Sequence, residues 1–421
     1  MKITVPHIHK IEGEAGFWAK VTKTGKIEEL EIQTLLGLRQ IEGILIGRRF
    51  FEVPMIVSRV CGICPVVHIL NACSALEKAL NIKVSDSVIF LRKLMLANQI
   101  IQSHTLHLFF LSLADFFKIE NDLDLMKKFP RESKAALKIR DFSLKVIKTI
   151  GGRAVHPITP VVGGFSKLPE KKEISEILKG YEKVLESAFL LVNLFKNLDY
   201  PDFKRKTIFA SLVGRTEYPF YEKKVISANG EKITIGDFYS TKIEEDLRTP
   251  PVKKVKLKGK PYMLGAMARV FNNSNLLNPK AKKIFEEFQK DKKEIFQNIF
   301  YNLFFQAIEV LNFLEESQKL IRKILETEIR QEKPEIKIQP ASGLSAMEAP
   351  RGTLFTYSEL DKDGRVLNCN IITPTAQFMN NLEEDLKTLL LKILKLSQKE
   401  KIRKIRSLIR VYDPCISCAT H

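Results

Sequence analysis

The sequence predicts a mainly α fold with small antiparallel β lobes. Three observations carry that reading. Apolar residues recur at three- and four-residue intervals through several long segments, with Lys and Glu between them. Short stretches of apolar–polar alternation, bounded by glycine turns, interrupt those segments. Two Cys-x-x-Cys units, Cys61/Cys64 and Cys415/Cys418, stand at opposite ends of the chain. If they act as one set, the fold must bring its first and last segments together. Either one large helical domain or a helical core with a small β lobe satisfies all three.

Taken in order, residues 1–35 alternate (Ile3-Thr-Val5, Phe17-Trp-Ala-Lys-Val21, then 27–32) with turn signals at Gly13, Gly16 and Gly25, and read as a small antiparallel sheet. Residues 41–47 read as a short helix. The first cysteine pair follows on a turn leading into another helix over 67–80. Long helical patterns then cover 85–117, 132–150, 171–198 and 279–327, the last broken near Asn302, and 382–396 and 399–407 close the set. Two sheet-like inserts separate them. One covers 207–246 with a hairpin signal at Asn229-Gly230, the other 352–373 with a turn at Lys362-Asp-Gly364.

Composition narrows the function classes. A chain of 421 residues, 45% apolar and 28% charged, buries a large core in the manner of an ordinary globular protein. No apolar run approaches the roughly 20 residues of a membrane span. Met1-Lys-Ile-Thr leads straight into strand-like sequence, so no membrane span and a cytoplasmic location are expected. Six cysteines are too few for a disulfide scaffold at this size and fit metal-bound thiolates in a reducing compartment. The formal charge of +19 invites a nucleic-acid reading. The lysines, however, are spread along helical segments such as 280–293 and 399–410, between acidic or apolar residues, and no nucleic-acid motif accompanies them. A solvated surface or a face for an acidic partner is expected instead, and no nucleic acid.

The cysteine motifs in full are Arg59-Val-Cys61-Gly-Ile-Cys64-Pro-Val-Val-His68 and Asp413-Pro-Cys415-Ile-Ser-Cys418-Ala-Thr-His421. Thiolate is the soft ligand among side chains, and four of them suit a soft transition metal. A zinc ribbon also uses two such pairs, but with roughly 15–20 residues between them, and a thioredoxin-like pair needs a βαβ context. A histidine behind each pair can hydrogen-bond a thiolate or bind a second cation. Pro414 fixes the turn before the second pair, and Arg59 is placed to neutralise thiolate charge.

Both motifs together, in this order, resemble the large, catalytic subunit of nickel–iron hydrogenases. The resemblance runs over essentially the whole chain. It includes Lys10-Ile-Glu12-Gly13, Leu38-Arg39-Gln-Ile-Glu42, Gln102-Ser-His104-x-x-His107 with Asp115, Gly151-Gly-Arg-Ala-Val-His156-Pro157, Val162-Gly-Gly164 and Glu348-Ala-Pro350-Arg351-Gly352. The resemblance implies one large domain over 1–421, a long-helix bundle whose metal site is buried between the N- and C-terminal segments. Within it, 1–60 would form an N-terminal β lobe and first helix, 61–206 a helical core, 207–278 a β-rich insert, and 279–421 helices, a β segment and the C-terminal motif.

It further implies that Cys61 and Cys415 are terminal ligands of nickel. Cys64 and Cys418 would bridge nickel to an iron carrying cyanide and carbon monoxide. The catalytic set would be Glu12 as proton relay, Arg351 over the metals and touching a cyanide, Asp115 and Asp413 holding that arginine, and Cys418. Thr375, after Pro374, would donate to the other cyanide, and His68 would hydrogen-bond Cys64. Glu42, His421 and a backbone carbonyl near Ile371 would hold magnesium, a hard cation suited to oxygen ligands. His104 and His107 are open between core histidines and a functional role.

The activity implied is reversible heterolytic cleavage of H2. Cys73 and Cys369 alone cannot build an iron–sulfur cluster, so an obligate iron–sulfur small subunit is expected to carry the electrons away. The stretches 51–68, 100–104 and 348–355 are most similar to the cytoplasmic, bidirectional NAD(P)-linked and methanogen-type group. The chain has no Gly-x-Gly-x-x-Gly loop, so a flavin/NAD(P) or ferredoxin-type module would belong to another subunit. Lys10, Glu14 and Gln40 depart from the family pattern, which commonly has Arg, His and Gly there. Two other readings stand beside this one: a hydrogen-sensing regulatory hydrogenase, and a zinc-stabilised basic binding protein.

Overall fold

A computed structural model describes residues 2–246, 252–292, 294–331 and 334–421. Met1, positions 247–251 of the expected β-rich insert and Lys293 of the lysine-bearing helical segment lie outside the described residues. Four long helices close a ring: Asp86–Leu106 packs on Pro130–Gly151, that on Tyr181–Lys196, that on Asn302–Glu326, and the last returns to Asp86–Leu106. Asn302–Glu326 is the buried member. Its first half, from Leu303 through Leu314, hides every apolar side chain, as a helix surrounded on all sides must. Pro130 opens its helix and Gly152, at φ 74°, closes it in the left-handed conformation that ends helices cheaply.

The described residues hold three three-stranded antiparallel sheets; one, Ala210–Leu212, Val225–Ala228 and Glu231–Thr234, lies in the expected insert, and two lie beside the chain ends. Lys2–Val5, Ala15–Val21 and Ile27–Thr34 form the N-terminal one in chain order. Ala341–Ala349, Gly352–Leu360 and Val366–Ile372 form the other, and helix Pro65–Ala79 packs on its first two strands. The chain ends meet beside these sheets. Glu12 forms an isolated parallel bridge with Cys415, and Ile416 N–H donates to the Glu12 carbonyl at 2.9 Å. Gly13 permits the approach. Its φ is +80°, and a Cβ there would lie 2.9 Å from Cβ of Ile416.

The expected mainly α fold with small antiparallel β lobes is what the chain adopts, with differences in detail. The 171–198 segment is two helices, Lys171–Lys179 and Tyr181–Lys196, because Gly180 breaks the run. The expected 279–327 helix is Pro279–Asp291 and Asn302–Glu326 with short turns between. The 382–396 helix begins earlier, at Pro374, since proline is a good first helical residue. Strand Ala341–Ala349 was not expected. Its alternation is erased because its second half is buried on both faces. Among the described residues no helix is long and apolar enough to cross a membrane.

Candidate metal centre

Local structure sets the four thiols. Cys61 is extended (φ −149°) at the end of a short turn, and Cys64 stands at the N-cap of helix Pro65–Ala79. Cys415 occupies the corresponding place before the single turn Ile416–Ala419. Before it, Asp413 takes a left-handed φ of 54°, an uncommon state for a non-glycine residue. The sulfurs of Cys61, Cys64, Cys415 and Cys418 all lie within 4.8 Å of one another and are buried. Each close pair joins one end of the chain to the other: Cys61 Sγ to Cys415 Sγ at 3.3 Å, and Cys64 Sγ to Cys418 Sγ at 3.1 Å.

Electrostatics agree with a cation between them. Hydrogen bonding from Cys415, with Cys418 and Cys64 behind it and the Arg351 charge nearby, holds the Cys61 thiol well below its usual range. Burial pushes Cys415 and Cys418 well above it. Four thiolates in so dry a pocket would repel one another, and the donor set fits a soft, thiolate-bound metal pair. Cys73 and Cys369, by contrast, are pushed up to about 12 by burial, as inert core thiols are.

Arg351 is the cation at this site. Its Nη2 donates to Asp413 Oδ1 at 2.6 Å and its Nε to the Asp413 carbonyl, while Nη1 is buried with no protein partner. Arg351 lines one cavity with Cys64, Cys415, Cys418, His68, Pro374 and Thr375. An orphaned guanidinium N–H beside these thiols is a donor for an acceptor held in the same cavity. Thr375 Oγ1 accepts the Cys415 N–H at 3.0 Å, which leaves its own proton to be donated elsewhere. Gly352, at φ +131°, lets this loop lie against residues 264–265, where a Cβ would come within 2.4 Å of Cβ of Leu264.

Glu12 stands on the other side. Its Oε2 accepts from the Cys415 thiol at 2.9 Å and from Ser417 N–H at 3.1 Å, and Oε1 accepts from the Ser417 hydroxyl. The thiol touching the expected relay is Cys415. Ser417 was missed by sequence reasoning, although it sits between the two C-terminal cysteines. Arg39, quoted only as part of a motif, bonds the Val60 carbonyl at 2.6 Å and the Ser417 carbonyl, tying the two cysteine loops together.

Three expectations are corrected. Asp115 does not hold Arg351: it pairs with Arg410 at 2.5 Å, and Asp413 alone holds Arg351. His68 lies nearest Cys418, with Nε2 at 3.6 Å from its sulfur, rather than Cys64, and burial lowers its pKa to about 4. Arg59 points to solvent and neutralises no thiolate. His104 and His107 are buried and hydrogen-bonded, to Glu309 at 2.9 Å and Gln306 at 2.5 Å.

Glu42, Ile371 and His421 do converge. His421 Nε2 is 2.9 Å from the Ile371 carbonyl and 3.8 Å from Glu42 Oε1. Lys253 Nζ also bonds both Glu42 oxygens, at 2.6 and 2.7 Å, and Asn370 Oδ1 at 3.0 Å. Glu42 Oε1 also accepts the Ile371 N–H at 2.7 Å, so this carboxylate is paired with an ammonium and an amide.

Known proteins place this arrangement. The sequence pattern of nickel-dependent hydrogenases matches residues 39–141 and 210–421. The chain is 30% identical over 426 residues to the alpha chain of sulfhydrogenase 1 of Pyrococcus furiosus, covering 100% of this chain and 98% of that one. It is 28% identical to a chain of the vhu F420-non-reducing hydrogenase of Methanocaldococcus jannaschii, over 91% and 97% of the two chains. The fold superposes on an NAD+-reducing [NiFe]-hydrogenase in the H2-reduced state with a TM-score of 0.89 at 23% identity, covering 100% and 99%. The Ni-Fe-Se hydrogenase of D. vulgaris Hildenborough gives 0.81 at 22%, covering 100% of both chains. The chain therefore belongs to the nickel-dependent hydrogenase family as a large, catalytic subunit, an oxidoreductase acting on H2.

Proposed function

We propose that this subunit cleaves H2 heterolytically and reversibly, and passes the electrons through an iron–sulfur small subunit to a soluble carrier such as NAD(P) or ferredoxin. The observation that carries the reading is one pocket holding four convergent thiols, an arginine with a free N–H, and a carboxylate on one thiol. A nickel–iron pair bound by those thiols, with cyanide and carbon monoxide on iron, would supply the polarisation of H2 and the acceptance of its electrons. In this scheme Cys61, Cys64, Cys415 and Cys418 would hold the metals through their sulfurs. Arg351, buried and always charged, balances the anionic centre and orients its free N–H over it. Glu12 takes the proton from the Cys415 sulfur over a contact of 2.9 Å, within the reach a general base needs. The Ser417 hydroxyl and N–H keep that carboxylate aimed at the sulfur. We assign Glu42, the Ile371 carbonyl and His421 to magnesium, which would pin the chain end.

Partner and compartment readings rest on the surface. Leu35, Leu38, Ile44, Ile46 and Phe51 are each about half exposed just before the Cys61 loop, at 47–59%. Val155 and Ile158, at 44% and 42%, lie on a loop that His156 ties to the Ser58 carbonyl at 2.8 Å. Exposed apolar residues on segments adjoining the Cys61 loop suit a docked subunit that takes electrons. A cytoplasmic enzyme of the NAD(P)-linked or methanogen-type group fits the relatives best.

The test is infrared spectroscopy and H2-dependent dye reduction on the purified complex, wild type against Glu12→Gln. Nitrile and carbonyl stretches are expected in both proteins. Turnover in the variant is expected to fall by about two orders of magnitude, the range general-base removal produces. Bands absent from the wild type would remove the metal centre; full turnover in the variant would remove Glu12 from the mechanism.

A further inference from the structure

Beneath the Arg351 loop lies a fully buried ionic network that the activity described so far does not use. Arg269 has no exposed surface. Its Nε and Nη2 donate to the two oxygens of Glu309 at 2.7 and 2.6 Å, and its Nη1 donates to Glu348 at 3.0 Å. The same guanidinium donates to the carbonyls of Ala349 at 2.8 Å and Pro350 at 3.0 Å, the two residues that precede Arg351. Glu309 also accepts from Tyr218 at 2.7 Å and from Nε2 of His104 at 2.9 Å.

A second rung runs parallel to the first. His107, at the start of the short helical segment His107–Ser112 that continues Asp86–Leu106, lies three residues beyond His104, and Gln306 three residues before Glu309, so the two pairs run side by side. Gln306 Nε2 donates to Asp413 Oδ2 at 3.4 Å, and its Oε1 lies 2.5 Å from Nδ1 of His107, whose Nε2 lies 2.6 Å from the Arg410 carbonyl. Asp413 in turn grips the Arg351 guanidinium through its other oxygen. One rung therefore ends on the backbone entering Arg351, and the other on the carboxylate holding its side chain.

We propose that Arg269 and the paired rungs His104–Glu309 and His107–Gln306 form a positioning device that fixes Arg351 over the metal centre. The proposal rests on the catalytic reading of Arg351 and adds residues that act through it. Arginine is required at 269, because only its fork reaches two carboxylates and two carbonyls at once. Its burial would be costly if its sole return were stability, since buried ion networks are often matched by apolar packing.

A double-mutant cycle in the intact complex tests this. Arg269→Lys and, for a gentler change of equal shape, Glu309→Gln are made in the native protein and in an Arg351→Lys background. Each is compared by metal content, nitrile stretch positions, kcat and KM for H2. In the native background we expect retained metals, a shifted nitrile band, an unchanged KM and a kcat lower by about 10- to 100-fold, as small misplacements of a catalytic group give. In the Arg351→Lys background the same substitutions are expected to change neither band nor kcat further. Equal losses in both backgrounds, or unshifted bands with native kcat, overturn the proposal for the rungs alone. A parent complex without nitrile bands overturns the reading of Arg351 itself and this device with it.

Discussion

At the residue scale, each group at the site owes its place to a local backbone choice that the sequence records unevenly. The cysteines are legible from spacing, because a soft metal needs thiolates from two segments and little else explains matched pairs at both ends. Gln40 was legible as a departure and acquires a reason only in the fold. It sits at φ 50°, ψ 38° before the Ile41–Leu45 helix, in the left-handed region where the family commonly has glycine. We expect Gln40→Gly to stabilise the subunit by about 1 kcal/mol, the scale of the left-handed penalty. Chemical denaturation measures it, and a loss of stability would mean that the Gln40 side chain makes up for its backbone. Ser417, Arg39 and Arg269 were not legible. Their roles exist only as contacts with atoms far away in the chain, and no spacing announces them. Asp115 shows the opposite failure, a motif residue whose carboxylate the fold turns to Arg410.

At the element scale, periodicity revealed the bundle because its helices are long and mostly amphipathic, while boundaries followed Gly180 and Pro374 rather than the apolar stripe. The strand Ala341–Ala349 stayed hidden because burial of its second half on both faces removes the pattern. The pairing of helices Asp86–Leu106 and Asn302–Glu326 has a consequence in acid. The Arg269 charge, with hydrogen bonds from Arg269 and His104, overcomes burial and lowers the Glu309 pKa to about 2. A carboxylate depressed in this way adds stability above its unfolded value near 4.5 and loses it as pH falls toward 2. The span is worth about 3 kcal/mol. Denaturation midpoints across that window are expected to drop in the wild type and to flatten in Glu309→Gln. Parallel profiles for the two proteins would assign the acid sensitivity elsewhere.

At the scale of the whole molecule, the fold places its most fragile chemistry where its two ends meet, and the exposed apolar residues adjoining the Cys61 loop are where the iron–sulfur partner is expected. Phe51→Glu with Ile46→Glu should weaken co-purification of that partner without altering the large subunit's melting temperature, since both side chains are exposed here. Undiminished co-purification would move the interface to another face. The net charge of +19 then belongs mainly to the solvated surface. The central claim, that thiols from the first and last segments share one bimetallic centre, is open to direct view. Anomalous diffraction from crystals of the complex, collected at the nickel and iron absorption edges, should place one peak of each metal between Cys61/Cys64 and Cys415/Cys418. A single zinc peak there, or nickel and iron bound elsewhere, would contradict it.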